Sequence, residues 1–313
     1  VASDSLGLIL SIVNDTRLPG FNGFFTDFRM NAPQLMLAGT RFDSTVADVR
    51  IVNNSDSILI SGLLDSTMGF VARASIRDSL IAKFDTLMVN FGDIAIMNNR
   101  DLEVRYVDND SARGIDFRTF NITSLGQRLS VNGFYSIDDS SSLKLTGKNL
   151  KVETYSLLMG NQVIDSSNTL LGNIRNLEIE YKGTMKDPQF SIIAISDVLR
   201  YGSTKIGRLD ADVRYENDNA ISDITFTNVN STGDFKIKGN LPMILTFEDD
   251  AEDLTRRRNE QKDKDVSLIA TADNFQIKVF QQLLPYTRGL EGTLDGTISI
   301  LGKSEAPKLT GNM

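Results

Sequence analysis

Leu171-Gly-Asn-Ile-Arg-Asn-Leu-Glu-Ile-Glu-Tyr-Lys182 runs into Gly183-Thr-Met-Lys-Asp-Pro188 and on into Gln189-Phe-Ser-Ile192, and the chain then writes the same phrase a second time. The second copy is Leu290-Glu-Gly-Thr-Leu-Asp-Gly-Thr-Ile-Ser-Ile-Leu301, then Gly302-Lys-Ser-Glu-Ala-Pro307, then Lys308-Leu-Thr-Gly311. In each copy an alternating strand ends on glycine, and a proline five residues later introduces the next strand. One strand-turn-strand unit cannot bury its own apolar face, so repetition implies an array whose members contact their neighbours. Such an array suits carrying or bridging better than catalysis.

Outward from this stretch the dominant signal is period two, apolar then polar, over four to eight residues. Leu177, Ile179 and Tyr181 alternate with Glu178, Glu180 and Lys182; Leu209, Ala211, Val213 and Tyr215 alternate with Asp210, Asp212 and Arg214. Ile224 and Phe226, Phe235 and Ile237, Leu143 and Leu145, Val104 and Tyr106, and Ile298 and Ile300 follow the same rule. Clusters of turn formers separate the strands at Asn53 to Ser57, Asp108 to Ser111, Asp138 to Ser142 and Glu216 to Asn219, as antiparallel neighbours require. At one strand per dozen or so residues, the chain holds on the order of 20 to 25 strands. Helical signals are short: Ile277 to Tyr286, ended by Pro285, and Glu153 to Met159, each just upstream of the repeated phrase. The longest polar insertion, Glu248 to Asp265, is acidic first and basic after, and reads as a solvated loop or exposed short helix.

The chain has 313 residues, 41% of them hydrophobic and 24% charged, the composition of a folded protein, and its apolar runs are too short to span a bilayer as a helix. It starts at Val1 without a charged n-region and h-region, and stops at Met313 just after a strand has begun. The expectation is an excerpt of a longer polypeptide, with signals and anchors outside it. There is no histidine and no cysteine, which removes the usual base of a nucleophile system, thiol chemistry, zinc-thiolate sites and disulfides. Cysteine-free sequence fits an oxidising compartment and is equally permitted in the cytoplasm. A net charge of −8 and a pI near 4.8 argue against nucleic acid and against adhesion to an anionic membrane surface.

A sheet that is apolar on one face must cover that face with a second layer, close on itself, or hold something apolar there. No long helices are available as cover. A continuously curling antiparallel sheet, bent into an open groove, accounts for a chain that repeats without a boundary. Neighbouring strands lie about 4.8 Å apart, so such a stack extends on the order of 100 Å. Acyl chains are the natural occupants, because each buried CH2 is worth about 0.8 kcal/mol.

Gly207-Arg-Leu-Asp-Ala-Asp-Val-Arg-Tyr215, Phe235-Lys-Ile-Lys-Gly-Asn-Leu-Pro242 and the second copy of the phrase, Leu290 to Gly302 with Pro307 and Gly311, resemble the TamB family within the wider AsmA-like group. The resemblance covers roughly 145 to 313, and residues 1–140 share only its style. The organisation expected is therefore a groove segment over 1–140, a second over 141–313 with TamB-like phrases, and a charged insertion at 248–265. The resemblance implies an elongated all-β protein of the Gram-negative periplasm, curled into a β-taco and held in the inner membrane by an N-terminal helix outside this segment. It also implies movement of phospholipid toward the outer membrane and a partner of the Omp85 barrel type.

The residues expected to line the groove are Leu177, Ile179, Phe190, Ile192, Leu209, Val213, Ile224, Phe226, Phe235, Ile237, Leu294, Ile298 and Ile300; a slip of one residue would invert a strand. Gly183 and Gly302 read as turns, since no phosphate-loop pattern is present. Pro188 and Pro307 read as starting edge or bend positions. Asp249-Asp250 and Asp108 to Asp110 lack calcium-loop spacing, and Arg256-Arg-Arg258 reads as a solvated charge run. No catalytic residue, metal or cofactor is expected. The competing readings are an outer-membrane protein assembly factor or a structural β-repeat adhesin, and more remotely a β-helical lyase, for which no set of base and acidic ligands can be assembled.

Overall fold

The computed structural model describes residues 7–14, 24–32, 35–37, 40–42, 44–52, 55–64, 68–77, 81–91, 94–100, 102–109, 112–153, 170–202, 204–229, 233–247, 251–277 and 291–312. The chain is all-β and antiparallel, with 22 strands and one helix of regular length among those residues. It divides into two units, Val1–Asp138 and Asp139–Met313. The short helices expected at Glu153 to Met159 and Ile277 to Tyr286 fall, but for their first residue, outside the described residues.

In the first unit β1 (Gly7–Asn14), β2 (Phe24–Ala32), β5 (Ser44–Val52), β6 (Ser55–Leu64), β7 (Met68–Arg77) and β8 (Ile81–Phe91) pair in that order. A small hairpin of β3 (Leu35–Leu37) and β4 (Thr40–Phe42) interrupts the succession. Next to β8, one strand position is filled by two pieces, β9 (Ile94–Asn98) and β10 (Leu102–Asn109), and both also pair with β11 (Ala112–Ser124). The gap is closed by a side chain. Asn98 Oδ1 accepts from Leu87 N–H at 2.8 Å, while its amide donates to the carbonyls of Asp85 at 3.1 Å and Arg100 at 2.9 Å, so the broken ladder keeps its partners. The unit ends in β12 (Gln127–Ser136), joined to β11 through Leu125 and Gly126, both at positive φ.

The second unit is a meander. β13 (Ser141–Lys151) pairs with β15 (Asn173–Gly183), and then β16 (Pro188–Tyr201), β17 (Thr204–Glu216), β18 (Asn219–Thr227), β19 (Asp234–Pro242), β20 (Asp265–Gln276), β21 (Thr293–Lys303) and β22 (Ala306–Asn312) follow in order. A two-residue piece, β14 (Leu170–Leu171), continues the β15 line against the far end of β16. Both copies of the repeated phrase form hairpins of one register: Gly183 lies opposite Pro188, and Gly302 opposite Pro307. Each glycine has positive φ, +93° and +112°, which an L side chain adopts only with strain. Pro188 does not start an edge strand as expected: it is the first residue of β16, which pairs on both sides, and proline is tolerated there because a strand's first residue can lack the N–H. β22 pairs, among the described residues, with β21 alone and is exposed along its whole length.

Of the two forms expected for the insertion between β19 and β20, the short and mostly exposed helix is the one found. This is α1 (Ala251–Gln261), with Glu252 and Asp253 in the first turn and Arg258 near the last, charges that complement the helix dipole. Arg257, in the middle of the expected solvated run, is buried. Residues 248–250 lie outside the described residues.

Candidate functional site

The register decides which side chains share a face, because residues directly opposite one another in an antiparallel pair point the same way. One row runs Leu145, Ile179, Ile192, Val213, Ser222, Gly239, Leu268, Ile300 across eight strands. The adjacent row runs Leu177, Ala194, Ala211, Ile224, Ile237, Ala270, Ile298. Phe190 is opposite Tyr215, Leu209 opposite Phe226, Phe226 opposite Phe235, and Leu294 opposite Phe275. Every expected lining residue therefore lies on a single face of the second unit.

These residues are neither free nor sealed. Each is half-buried, and none reaches full burial. Among the described residues the strands of this face make their close backbone contacts with their own ladder neighbours. Within the face the residues separate into three zones. Phe226, Phe235 and Leu294 pack with Ile206 against Ala272 and Phe275, and the Phe235 and Phe275 rings lie 5.5 Å apart. Toward the hairpin tips Phe190 stacks on Tyr215 at 5.2 Å. The two aliphatic rows lie between these aromatic clusters, and alanines at 194, 211 and 270 keep that band low. Two rows are about 7 Å apart along the strands, at 3.4 Å per residue.

The opposite face is mixed: locally neutralised charges alternate with the exposed Ile193, Ile221, Ile269 and Leu301. Lys144 Nζ lies 2.5 Å from Glu178 and 3.1 Å from Glu180, holding the Glu180 carboxyl below its ordinary value. Arg214 pairs with Asp212 at 3.1 Å, Lys238 with Asp223 and Lys236 with Asp234 at 2.7 Å. All are exposed, so they favour the register and solubility more than they add stability. A shallow cleft of about 240 Å³ lies over Glu180, Lys182, Gln189, Ser191, Arg214 and Glu216; Glu180, Lys182 and Arg214 in it are already paired.

The alternation found most of the apolar face but missed part of it. Phe275 is 1% exposed, yet the period running Leu268, Ala270, Ala272 would put Asn274 on that face. A bulge between Ala272 and Phe275, with Asn274 at φ 44°, shifts the phase by one. Asn after Asp was the signal available, since Asn tolerates positive φ.

The tip rim was also missed. The Tyr215 hydroxyl accepts the Leu245 N–H at 2.7 Å and donates to Asp218 Oδ1 at 3.1 Å. Arg257 Nε donates to Asp218 Oδ2 at 2.9 Å, its Nη1 to the Lys186 carbonyl at 2.8 Å, and its Nη2 to Asp218 Oδ1. Burial alone would raise the Asp218 carboxyl, but the hydrogen bonds from Arg257 and Tyr215 outweigh it and hold the group below its ordinary value. Burial pushes the Tyr215 phenol up. Among the described residues no cluster of three or more metal-ligating side chains comes together, and no helix is long and apolar enough to cross a membrane. Asp110, Asp249 and Asp250 lie outside the described residues. No family model, curated protein or solved structure matches the chain.

Proposed function

We propose that this chain is a segment of a periplasmic, bridge-like lipid carrier, which shields phospholipid acyl chains along the apolar face of the second unit without catalysing a reaction. The observation that carries the reading is the placement of all the lining residues on one face, every one of them only half-buried. A sheet built to be sealed would bury such residues, since each isoleucine or phenylalanine fully removed from water gains about 2 kcal/mol. The polar face, with its paired charges, stays solvated while the other face takes a guest. The sequence resemblance adds the setting: an inner-membrane anchor outside this segment, delivery to the outer membrane, and an Omp85-type barrel as partner.

The test uses native mass spectrometry of the purified chain together with photo-crosslinking residues at Ile224 and Ile298, in the open aliphatic band, and at Asp212 on the polar face. Phospholipid adducts at the first two positions and not at Asp212 support the reading. Protein free of lipid, with no adduct at any of the three, overturns it and favours a structural or assembly role.

A further inference from the structure

Two parts of the connection between β19 and β20, residues 243–247 and 251–264, lie against the hairpin tips of strands that precede them by dozens of residues. Leu245 is bound to the hydroxyl of Tyr215, a residue of the apolar face, and Phe247 N–H donates to the Met185 carbonyl at 2.8 Å. The helix then returns across the next tip: Gln261 Nε2 donates to the Asp218 carbonyl at 3.0 Å and Lys264 Nζ to that of Asn217 at 2.9 Å. Beyond it, Ser304 N–H reaches the Lys264 carbonyl at 2.9 Å. Three hairpin tips, those at 184–187, 217–218 and 304–305, are thus tied by one segment.

Most of these ties are single bonds, and a looser ion pair joins Lys186 to Asp253 of the helix at 3.7 Å. Arg257 is different. It is buried, takes both carboxylate oxygens of Asp218, and ties the Lys186 carbonyl with the same guanidinium. A two-point guanidinium-carboxylate pair is the strong form of such a bond, and lysine cannot reproduce it. Phe247 meanwhile is 64% exposed, while Met243, Ile244 and Leu245 before it are half-buried.

We propose that residues 243–247 and 251–264 act as a clasp on the tip rim of the apolar face, with Arg257 as its principal latch, so that releasing Arg257 frees the strap and opens that rim to a guest. The latch stands on the hydrogen bonds alone; its role in admitting acyl chains rests on the lipid reading given above.

The absence of cysteine allows spin labels to be placed uniquely, at Phe247→Cys on the strap and Glu216→Cys at the end of β17. In the otherwise native chain the label-to-label distance distribution is expected to be narrow. In R257K and R257A it should broaden, and amide exchange at Leu245 and Phe247 should rise by about tenfold or more, while R258A changes neither. Folded Arg257 variants with an unchanged distribution and unchanged exchange overturn the latch. So does failure of both R257K and R257A to fold, which would make Arg257 a structural anchor with no open state. Uptake of cis-parinaric acid separates the two readings. No uptake by the native chain counts against the acyl-chain site and leaves the latch to the label data. Uptake that is equally fast in native and unlatched protein overturns admission through the rim.

Discussion

The two copies of the glycine-to-proline phrase make hairpins of one register, yet they live in different surroundings. At the first, Pro188 is fully buried, the carbonyls of Met185 and Lys186 accept bonds from the strap and from Arg257, and Tyr181 donates to the Thr184 carbonyl at 3.1 Å. At the second, Pro307 is exposed, and the turn is held by backbone bonds from Ser304 and Glu305 to Lys264 and Lys262. The same local chemistry therefore makes a turn, and what crosses over it decides whether that turn becomes a structural centre. Local sequence sets the hairpin; burial sets its worth.

The largest expected difference comes from the latch. R257A leaves Asp218 nearly buried without its cation, and loss of one partner of a buried pair costs about 3 to 5 kcal/mol; the reference change at the second tip, Glu305→Ala, falls within about 0.5 kcal/mol. Urea unfolding of both variants, followed by far-ultraviolet circular dichroism, measures the gap.

Glycine-to-alanine changes sharpen the comparison directly. Both positions have positive φ, costing roughly 1 kcal/mol each for a residue with a side chain. A Cβ at Gly183 would also collide with the Asp187 carbonyl oxygen, whereas at Gly302 the nearest atom, the Ala306 oxygen, is 3.6 Å away. G183A should therefore destabilise by about 2 to 3 kcal/mol and G302A by about 1. Equal thermal shifts in the two variants would show that strap and turn do not reinforce one another.

Tyr215→Phe removes the acceptor of the Leu245 N–H and a donor to Asp218, and should cost about 1 to 2 kcal/mol. Amide exchange should rise at Leu245 and stay unchanged at Ser304. The pH response is the smallest effect. Asp218 has a folded pKa below its unfolded one, so its contribution is complete above the ordinary carboxylate value, near about 3.9, and is lost as pH falls through the folded value. Acid should loosen the first tip before the second, read by exchange at Phe247 against Glu305.

Much of the sheet was legible because period two survives wherever strands pair without interruption. The runs Leu177 to Tyr181 and Leu209 to Tyr215 lie on the face their alternation required, and Glu216 to Asn219 makes the tight turn its residues favour, with Asn217 and Asp218 both at positive φ. The phase was lost where a bulge adds a residue, as at Asp273–Asn274 before Phe275, and where Asn98 replaces backbone in the ladder. Arg257 was illegible for another reason. Three consecutive arginines read as solvent-facing by composition, and only a carboxylate 39 positions away, on a different turn, explains why the middle one is inside. Long-range pairing of a single charge leaves no periodic trace.

The outermost position of β22 carries one more consequence. Among the described residues no strand pairs with its other side, where Leu309 is 71% exposed, and a strand edge left unpaired recruits any foreign strand that reaches it. Pro307 deletes one donor from the strand and Lys308 sets a charge upon it, two features that discourage stacking of one molecule on another. Neutralising Lys308 would make the purified protein prone to fibrous association long before it lost its fold.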